Sequence, residues 1–350
     1  MRTIAFASVF AILVAACGGA AAPSAAPSKS AAPSVAASAA TATPAPKPTT
    51  VKFNWTAVSG ASSGLWTAYE AGYFKDENLD VQLQHIASSS TAVAALLSKQ
   101  IDFTHLDGEV DVDANLKGGN IRMVYAITNK LVFSVMAKKD ITKPDQLKGK
   151  KLGITKIGSS TDTAARLALS TWGLKPDTDV SFIGLSEVPQ IFTALTTGAV
   201  DAGVVSPPTS YRAKDAGFNE LLNLATDGPD WPSVGIGATA DYIKANPDIV
   251  TRVIRAYSKG VWRFKTDKAF ALTVLKKYLS VSDEKILTAT WTDFSKYLAS
   301  PPYPKGFDNV IKRYTEEGKD ISKLKTSDLV DTTAVKALDD AGFYTKLYGK

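Results

Sequence analysis

The feature that most constrains the fold of this chain is an internal repeat at a fixed offset of 99 residues, which relates Asp80 to Asp179. At this offset Asp80–Leu83 (DVQL) aligns with Asp179–Phe182 (DVSF), and Ile101-Asp102 aligns with Val200-Asp201. Generic βα units share an order of elements by chance, but chance does not keep one register over about 55 residues. The repeat therefore predicts two similar lobes.

The apolar pattern after Thr50 alternates between short strand-like stretches and longer helix-like ones, which predicts an α/β architecture. The predicted strands are Val51–Val58, Val81–His85, Ile101–Leu106, Ile121–Ile127, Val132–Ala137, Lys151–Thr155, Val180–Leu185, Val200–Val205 and Val234–Ala238. Four predicted helices end at a glycine suited to a left-handed C-terminal position, namely Leu65–Ala71, Thr161–Trp172, Pro189–Thr197 and Thr209–Ala216. A longer helix begins at Asn246-Pro247-Asp248, and its apolar face is formed by Val250, Val253, Ile254, Tyr257, Val261 and Phe264.

Composition excludes several classes of protein. With 45% apolar and 21% charged residues, the 350-residue chain is ordinary globular protein with enough length for two cores. Its one cysteine, Cys17, excludes internal disulfides and thiolate clusters, and its two histidines exclude a His-rich metal site. The net charge of +6 is spread singly, without the basic stripe that nucleic acid requires. We expect no metal, no cofactor and no nucleic-acid partner.

The N-terminus has the pattern of a bacterial lipoprotein leader. Ile4–Ala16 is a thirteen-residue apolar run, too short to span a bilayer and typical of a signal peptide over residues 1–16. Val14–Gly18 resembles a lipobox, in which Cys17 receives a thioether-linked lipid; the alternative is an ordinary signal peptide with an incidental cysteine. Residues 18–50 are rich in Ala, Pro, Ser and Thr and contain no aromatic residue, so we expect a disordered spacer after Cys17. The pattern predicts an extracytoplasmic protein anchored to the bacterial cell membrane.

The repeat also locates a candidate ligand site. Ligands of open α/β sheets bind beyond the carboxyl ends of the strands, where loops lead into helix N-termini. The repeat superposes three pairs of such loops: Ser59–Ser63 with Gly158–Asp162, Ser88–Ser90 with Glu187–Pro189, and Asp107 with Ser206. From these loops and two nearby tryptophans, the predicted ligand-binding residues are Ser59, Gly60, Ser62, Ser63, Trp66, Ser88, Ser89, Asp107, Gly158, Ser159, Ser160, Thr161, Glu187, Ser206 and Trp231.

The chemistry of these residues leaves the ligand class open. Hydroxyls and backbone N–H groups at the helix start in Gly158–Asp162 favour an anionic group, the alternative being a helix cap without ligand. The carboxylates of Asp107 and Glu187 favour a cationic or hydroxyl-rich ligand instead. Trp66 either stacks on the ligand or packs in the core, and Trp231 either covers the cleft or packs between the lobes.

Two other groups of polar residues have structural interpretations. Acidic residues alternate along Asp107–Asp113, but the glycine and terminal glutamate of a calcium loop are missing. We therefore expect a helix N-terminus capped by Asp107, with Glu109 opposing the helix dipole. His85 and His105 are expected to be structural imidazoles.

Four stretches carry a resemblance to a known family: Tyr69–Val81 (YEAGYFKDENLDV), Leu147–Ile154 (LKGKKLGI) followed by Gly158–Thr161, Gly198–Ala202 (GAVDA) with Pro207-Pro208, and Tyr242–Pro247 (YIKANP). In order and spacing they resemble the solute-binding proteins of ABC importers, in the nitrate/sulfonate/taurine group that shares its fold with thiamine-pyrimidine-synthase-like proteins. Asn78 stands where the family usually has glycine, in a turn that tolerates positive φ.

The resemblance implies a type II periplasmic-binding-protein fold with two α/β lobes, a cleft, two crossovers and a helical C-terminus. Mapped onto this chain, the first lobe comprises residues 51–138 and 229–350, and the second comprises residues 139–228. The crossovers are expected near Val132–Asp140 and Ala225–Ser233. The resemblance implies a monomer that captures a small polar solute by hinge closure and presents it to an ABC permease in the membrane.

Two other functions stay open at this point. An enzyme would need a nucleophile with a base, yet the chain has no Gly-x-Ser-x-Gly elbow, and the pyrimidine-synthase relatives use a histidine and a cysteine-rich iron segment that Cys17 alone does not supply. A lipid-anchored scaffold would explain the spacer but not the duplicated loops.

Overall fold

The computed structural model describes residues 47–349. Cys17, the predicted signal peptide and the predicted spacer up to residue 46 lie outside the described residues. The first strand begins at Thr49, two residues before the predicted start. In the described part of the chain, no helix is both long enough and apolar enough to span a membrane.

Strands and helices alternate through the first two thirds of the chain, and helices alone follow. The strands are β1 (Thr49–Trp55), β2 (Leu79–His85), β3 (Phe103–Leu106), β4 (Ile121–Lys130), β5 (Ser134–Ala137), β6 (Lys150–Ile154), β7 (Val180–Gly184), β8 (Ala202–Val205), β9 (Asn219–Asn223) and β10 (Asp230–Thr239). The helices are α1 (Ser63–Glu70), α2 (Tyr73–Asp76), α3 (Ser89–Leu97), α4 (Gly108–Leu116), α5 (Ser160–Thr171), α6 (Val188–Thr197), α7 (Thr209–Asp215), α8 (Leu224–Asp227), α9 (Ala240–Ala245), α10 (Pro247–Thr266), α11 (Lys268–Leu279), α12 (Glu284–Tyr297), α13 (Phe307–Glu316), α14 (Thr333–Asp340) and α15 (Phe343–Tyr348).

The strands form two five-stranded sheets with the same topology. The first has the order β2-β1-β3-β10-β4 and the second the order β7-β6-β8-β5-β9. In each sheet the first three strands run parallel, while the fourth is antiparallel to both of its neighbours. We call the first sheet with its helices the first lobe, and the second sheet with its helices the second lobe. The predicted α/β architecture and the predicted pair of similar lobes are confirmed.

The offset of the sequence repeat holds at the level of strand register. Val51 pairs with Val81 in the first lobe, and Lys150 pairs with Val180 in the second. The offset also holds for a hydrogen bond between a side chain and the backbone of a strand. In the first lobe the Asp102 carboxylate accepts from the Lys52 N–H at 2.8 Å, and in the second lobe the Asp201 carboxylate accepts from the Lys151 N–H at 3.0 Å. The register kept in the sequence is thus the register of the sheets.

The chain passes between the sheets twice, once after β4 and once between β9 and β10. The first lobe was expected to extend to residue 138, but β5 pairs with β8 and β9 in the second sheet, so the chain enters the second lobe by Ser134. The nine predicted strands each overlap an observed one, and β9 is the strand that sequence reasoning misses. Every residue of β9 is half-buried, so this edge strand shows no alternation of apolar and polar side chains.

The predicted helix ends are confirmed by backbone geometry. Gly72, Gly173, Gly198 and Gly217 all have positive φ, between 68° and 82°. Asn78 also has positive φ, at 54°, as the turn in the resemblance requires. The predicted apolar face of α10 is buried in the first lobe, where the helix packs against α1 with Gly260 next to the carbonyl of Gly64.

Candidate functional site

The two lobes contact each other through the loops at the carboxyl ends of their parallel strands. Ser160, in the loop after β6, donates through its hydroxyl to Asp107, in the loop after β3, at 2.6 Å. Ser59, in the loop after β1, donates to the carbonyl of Pro207, in the loop after β8, at 3.3 Å. The first loop of each lobe therefore reaches the third loop of the other lobe, as expected for two copies of one unit that face each other.

Asp107 is the centre of the more polar of these two contacts. Its Oδ2 accepts from the hydroxyls of Ser89 at 2.8 Å and Ser160 at 2.6 Å, and its Oδ1 accepts from the Val110 N–H at 3.1 Å. The last bond is the predicted cap of helix α4. Burial raises the pKa of Asp107 above its usual value, against the opposing effect of these three hydrogen bonds. One buried carboxylate thus ties helices α3 and α4 of the first lobe to α5 of the second.

A cavity of about 40 Å³ lies beside this contact, between the lobes. By volume it holds a few water-sized groups. Ten of its fourteen lining residues have polar side chains, and the wall comes from both lobes: Thr56, Ala57, Val58, His85, Ser88, Ser89, Phe133, Thr155, Ser159, Ser160, Thr161, Ser186, Glu187 and Val188. Helices α3, α5 and α6 all begin at this wall, so their first backbone N–H groups and their positive dipole ends converge on the cavity.

Six of the predicted ligand-binding residues line the cavity, namely Ser88, Ser89, Ser159, Ser160, Thr161 and Glu187. Asp107 lies directly behind Ser89 and Ser160 and is itself 1% exposed. Gly158 lines a neighbouring pocket between the lobes and donates its N–H to Asp162 at 2.9 Å. The structure therefore brings together the loops after β2, β3, β6 and β7.

The predicted first loop, Ser59, Gly60, Ser62 and Ser63, lies outside the wall of this cavity. Helix α12 covers it: a Cβ at Gly60 would come within 2.1 Å of the Phe294 ring. Ser62 donates to the carbonyl of Ala57 at 3.0 Å, and all four residues are buried. Phe294 of α12 therefore packs directly on this loop.

Three further predicted residues also pack in the interior. Trp66 is fully buried and stacks on Tyr278 of α11, with ring centroids 4.8 Å apart. Trp231 is 1% exposed and belongs to a hydrophobic cluster, and Ser206 is buried with no hydrogen-bond partner for its hydroxyl. For the two tryptophans, the packing alternative describes what the structure shows.

Sequence reasoning missed several residues of the cavity wall. Thr155 follows β6 directly and Ser186 lies two residues after β7, so their position after a strand was an available signal. His85, expected to be purely structural, lies at the end of β2 on the cavity wall and stacks on Trp55 with centroids 5.1 Å apart. Phe133 comes from the crossing between β4 and β5, and no local pattern marks it.

A second polar contact between the lobes lies next to the cavity. The hydroxyl of Thr163 on α5 donates to the carboxylate of Glu109 on α4, and Glu109 also forms an ion pair of 2.5 Å with Arg313 on α13. Burial raises the pKa of Glu109 to about 8, although Arg313 acts in the opposite direction. The adjoining pocket, of about 300 Å³, carries both signs of charge.

His105 has the structural role that was expected of it. Its ring is 1% exposed, and its nitrogens lie 3.5 Å from the Ser62 hydroxyl and 3.4 Å from the Tyr257 hydroxyl. Burial lowers the pKa of His105 to about 3, so the ring is neutral at physiological pH.

Two α/β lobes of equal topology, with a polar cavity between their strand ends, define the class of two-lobe solute-binding folds. A family model described as NMT1/THI5 like matches residues 60–267, and the chain belongs to this family. The chain is 27% identical to the taurine-binding periplasmic protein of Escherichia coli (strain K12) over 187 residues, which are 52% of this chain and 49% of that protein.

Solved structures show the same fold. A protein from Bordetella bronchiseptica RB50 superposes with a TM-score of 0.74 at 20% identity, over 87% of this chain and 99% of that one. The alkanesulfonate-binding protein SsuA from Xanthomonas axonopodis pv. citri, bound to MOPS, gives a TM-score of 0.63 at 17% identity, over 87% of this chain and 96% of that one. The predicted fold and the predicted resemblance to periplasmic solute-binding proteins of ABC importers are confirmed.

Proposed function

We propose that this protein is the substrate-binding subunit of an ABC importer, and that it captures a small polar organic solute by closure of its two lobes. The observation that carries the proposal is the cavity between the lobes, to whose wall both lobes contribute polar side chains. The relatives support it, because the taurine-binding relative is a binding protein and the alkanesulfonate-binding protein has the same fold as this chain. We place the hinge at the two crossings between the sheets and the membrane anchor at Cys17.

Closure needs a ligand that contacts both lobes, since only differential contacts shift a conformational equilibrium. Ser88 and Ser89 come from the first lobe, and Ser160, Thr161 and Glu187 come from the second. A solute in the cavity is within reach of both sets. Binding and hinge motion account for such a function without a catalytic residue.

A stability screen tests the binding role. The full chain, purified in detergent, is heated with sulfonates, carboxylates, nitrate, pyrimidines and amines, and a ligand raises the unfolding temperature by mass action. If every compound leaves the unfolding temperature unchanged, the proposed solute class is rejected. Turnover of a stabilising compound would favour the enzyme alternative.

A matched pair of variants then tests the cavity. Ser160 and Ser63 are each the first residue of a helix, but Ser160 lines the cavity and Ser63 does not. Loss of one hydrogen bond to a charged group costs roughly 1.5–3 kcal/mol, so Ser160→Ala should weaken the stabilising ligand about tenfold to a hundredfold. Ser63→Ala should leave the affinity unchanged, and equal affinities for both variants would reject the site.

Anchoring is tested separately. Cys17→Ala should release the protein from membranes or leave its leader uncleaved. A variant that stays membrane-bound and is cleaved at the same place would reject the lipid anchor without affecting the binding proposal.

A further inference from the structure

The hydroxyls of Ser89 and Ser160 line the cavity, but their hydrogens are already engaged. Both donate to the same atom, Asp107 Oδ2, at 2.8 Å and 2.6 Å. A serine hydroxyl has one hydrogen to donate and two lone pairs to accept with. Toward the cavity, therefore, these two serines can act only as hydrogen-bond acceptors.

Two other residues of the wall, Ser159 and Glu187, add further acceptors. Ser159 donates to the carbonyl of Lys156 at 2.7 Å, so its hydrogen is also engaged. Glu187 is the one carboxylate among the residues that line the cavity, and no lysine or arginine is among them in the described part of the chain. Ser89, Ser159 and Ser160 are thus complementary to a group that donates hydrogen bonds, whereas Thr56, His85 and Ser186 on the same wall can still donate.

We propose that Asp107 is a positioning residue that sets the class of solute: it holds the hydroxyl hydrogens of Ser89 and Ser160, so that the bound solute must carry an N–H donor group, such as a primary ammonium, at this end. The inference rests on the proposed binding function and adds the ligand class to it. The three hydrogen bonds of the Asp107 side chain suit an ionised carboxylate, which accepts hydrogen bonds and does not donate them.

The same arrangement links recognition to closure. Ser89 belongs to the first lobe and Ser160 to the second, and their hydroxyl oxygens are 3.3 Å apart. An N–H donor shared between these two oxygens contacts both lobes at once. A solute without this donor would leave two lone pairs of the closed cavity without a partner, which carries the cost of an unsatisfied buried acceptor.

The test compares pairs of compounds that differ by an amino group, taurine with ethanesulfonate and β-alanine with propanoate. Calorimetry on the full chain in alkaline buffer, where Asp107 is ionised, should show the amine binding at least about tenfold more tightly in one pair. Asp107→Asn keeps the shape of the side chain but supplies an amide donor, which turns one serine hydrogen toward the cavity. This variant should reduce the amine preference by about tenfold.

Asp113→Asn is the matched control, because Asp113 lies on the same helix and accepts from Tyr314 at 2.6 Å, outside the cavity wall. It should leave the amine preference unchanged. A purely structural role of Asp107 would weaken both members of a pair alike and overturn the inference. Equal or tighter binding of ethanesulfonate and propanoate by the unmodified chain would overturn it too, with the binding function intact.

Two further outcomes complete the test. If Asp107→Asn does not fold, Ser89→Ala decides, since loss of one acceptor should weaken the amine and spare its analogue, and equal losses overturn the inference. If no compound of either pair binds and the stability screen is also negative, the proposed function fails together with the inference. If the screen instead finds a tight ligand without an N–H group, the inference alone fails.

Discussion

Asp107 and Ser206 occupy equivalent places in the two lobes, at the carboxyl ends of β3 and β8, yet they do different things. Asp107 accepts three hydrogen bonds, one of them from the other lobe. Ser206 is equally buried, but its hydroxyl has no partner. The two sheets share one topology, but at this position only the first lobe has a carboxylate, and that carboxylate is hydrogen-bonded to the other lobe.

The first loops of the lobes differ for another reason. In the second lobe, Ser159–Thr161 lines the cavity, whereas in the first lobe the equivalent Gly60–Ser62 lies beneath Phe294 of α12. The C-terminal helices pack on the first lobe, and helix α12 meets this loop. Duplication therefore provides two equivalent loops, and the unduplicated helix α12 covers one of them while the other lines the cavity.

The largest effect is expected from Phe294→Ala. Phe294 is fully buried, so its loss should lower the free energy of unfolding by about 3–5 kcal/mol, measured by denaturant titration. Tyr69→Ala, at a ring that is 42% exposed, should cost less than about 1 kcal/mol. Affinity for the stabilising ligand should not change in either variant. A loss of affinity in Phe294→Ala as large as that in Ser160→Ala would show that the first loop belongs to the site.

The next effect comes from making the third loops alike. Ser206→Asp places a carboxylate at a buried position whose present hydroxyl already lacks a partner, so it should destabilise the fold by at least about 2 kcal/mol. Ser206→Ala removes the unsatisfied hydroxyl and should be neutral or slightly stabilising. If Ser206→Asp were as stable as the unmodified chain, the second lobe would have hydrogen-bond donors there, and the contrast with Asp107 would disappear.

A smaller effect on stability is expected from the titration of Glu109. Its neighbours are Thr163, Arg313 and the carboxylates of Asp107, Asp113 and Glu317. Its pKa is raised from 4.5 to about 8, so the folded protein holds a proton that the unfolded chain releases. Stability from this group is present at low pH and is lost as pH rises through that interval, by at most about 1.4 kcal/mol per pH unit. Glu109→Gln should flatten the pH dependence of unfolding there, and an unchanged slope would contradict the burial of an acid between the lobes.

The smallest signal is expected from His105. Because burial lowers its pKa to about 3, its ring resonances in NMR should not titrate between neutral and mildly acidic pH. As the folded pKa lies below the unfolded value of 6.5, His105 contributes stability above that value which is lost as pH falls toward 3. Titration of the ring near pH 6.5 would show that the core around it is open to water.

Much of the fold could be predicted from the sequence, because the repeat preserves the register of the strands. The register of paired strands depends on the alternation of apolar and polar side chains. The repeat keeps that alternation at a constant offset of 99 residues, as at Asp80 and Asp179. Strand β9 was not visible, because a half-buried edge strand lacks that alternation. The early entry into the second lobe was missed because β5 pairs with strands that follow it in the chain.

The candidate ligand site could be predicted from the sequence only in part. Position after a strand identified the Ser88–Ser89 and Ser159–Thr161 loops, which the structure places on one cavity wall. Nothing local to Ser59–Ser63 shows that Phe294, more than 200 residues later, covers this loop. The bond from Ser160 to Asp107 likewise depends on how the lobes face each other, which neither loop encodes alone.

The central claim is that a ligand in the cavity draws the lobes together, and a distance between the rims of the cleft tests it most directly. Ala94 is an exposed residue of α3 in the first lobe, and Ile157, which is 57% exposed, follows β6 in the second lobe. Spin labels at Ala94→Cys and Ile157→Cys, in a chain with Cys17→Ala, allow the distance to be measured by electron paramagnetic resonance. Saturating ligand should shift the distribution to one short distance, whereas the same distribution with and without bound ligand would contradict closure.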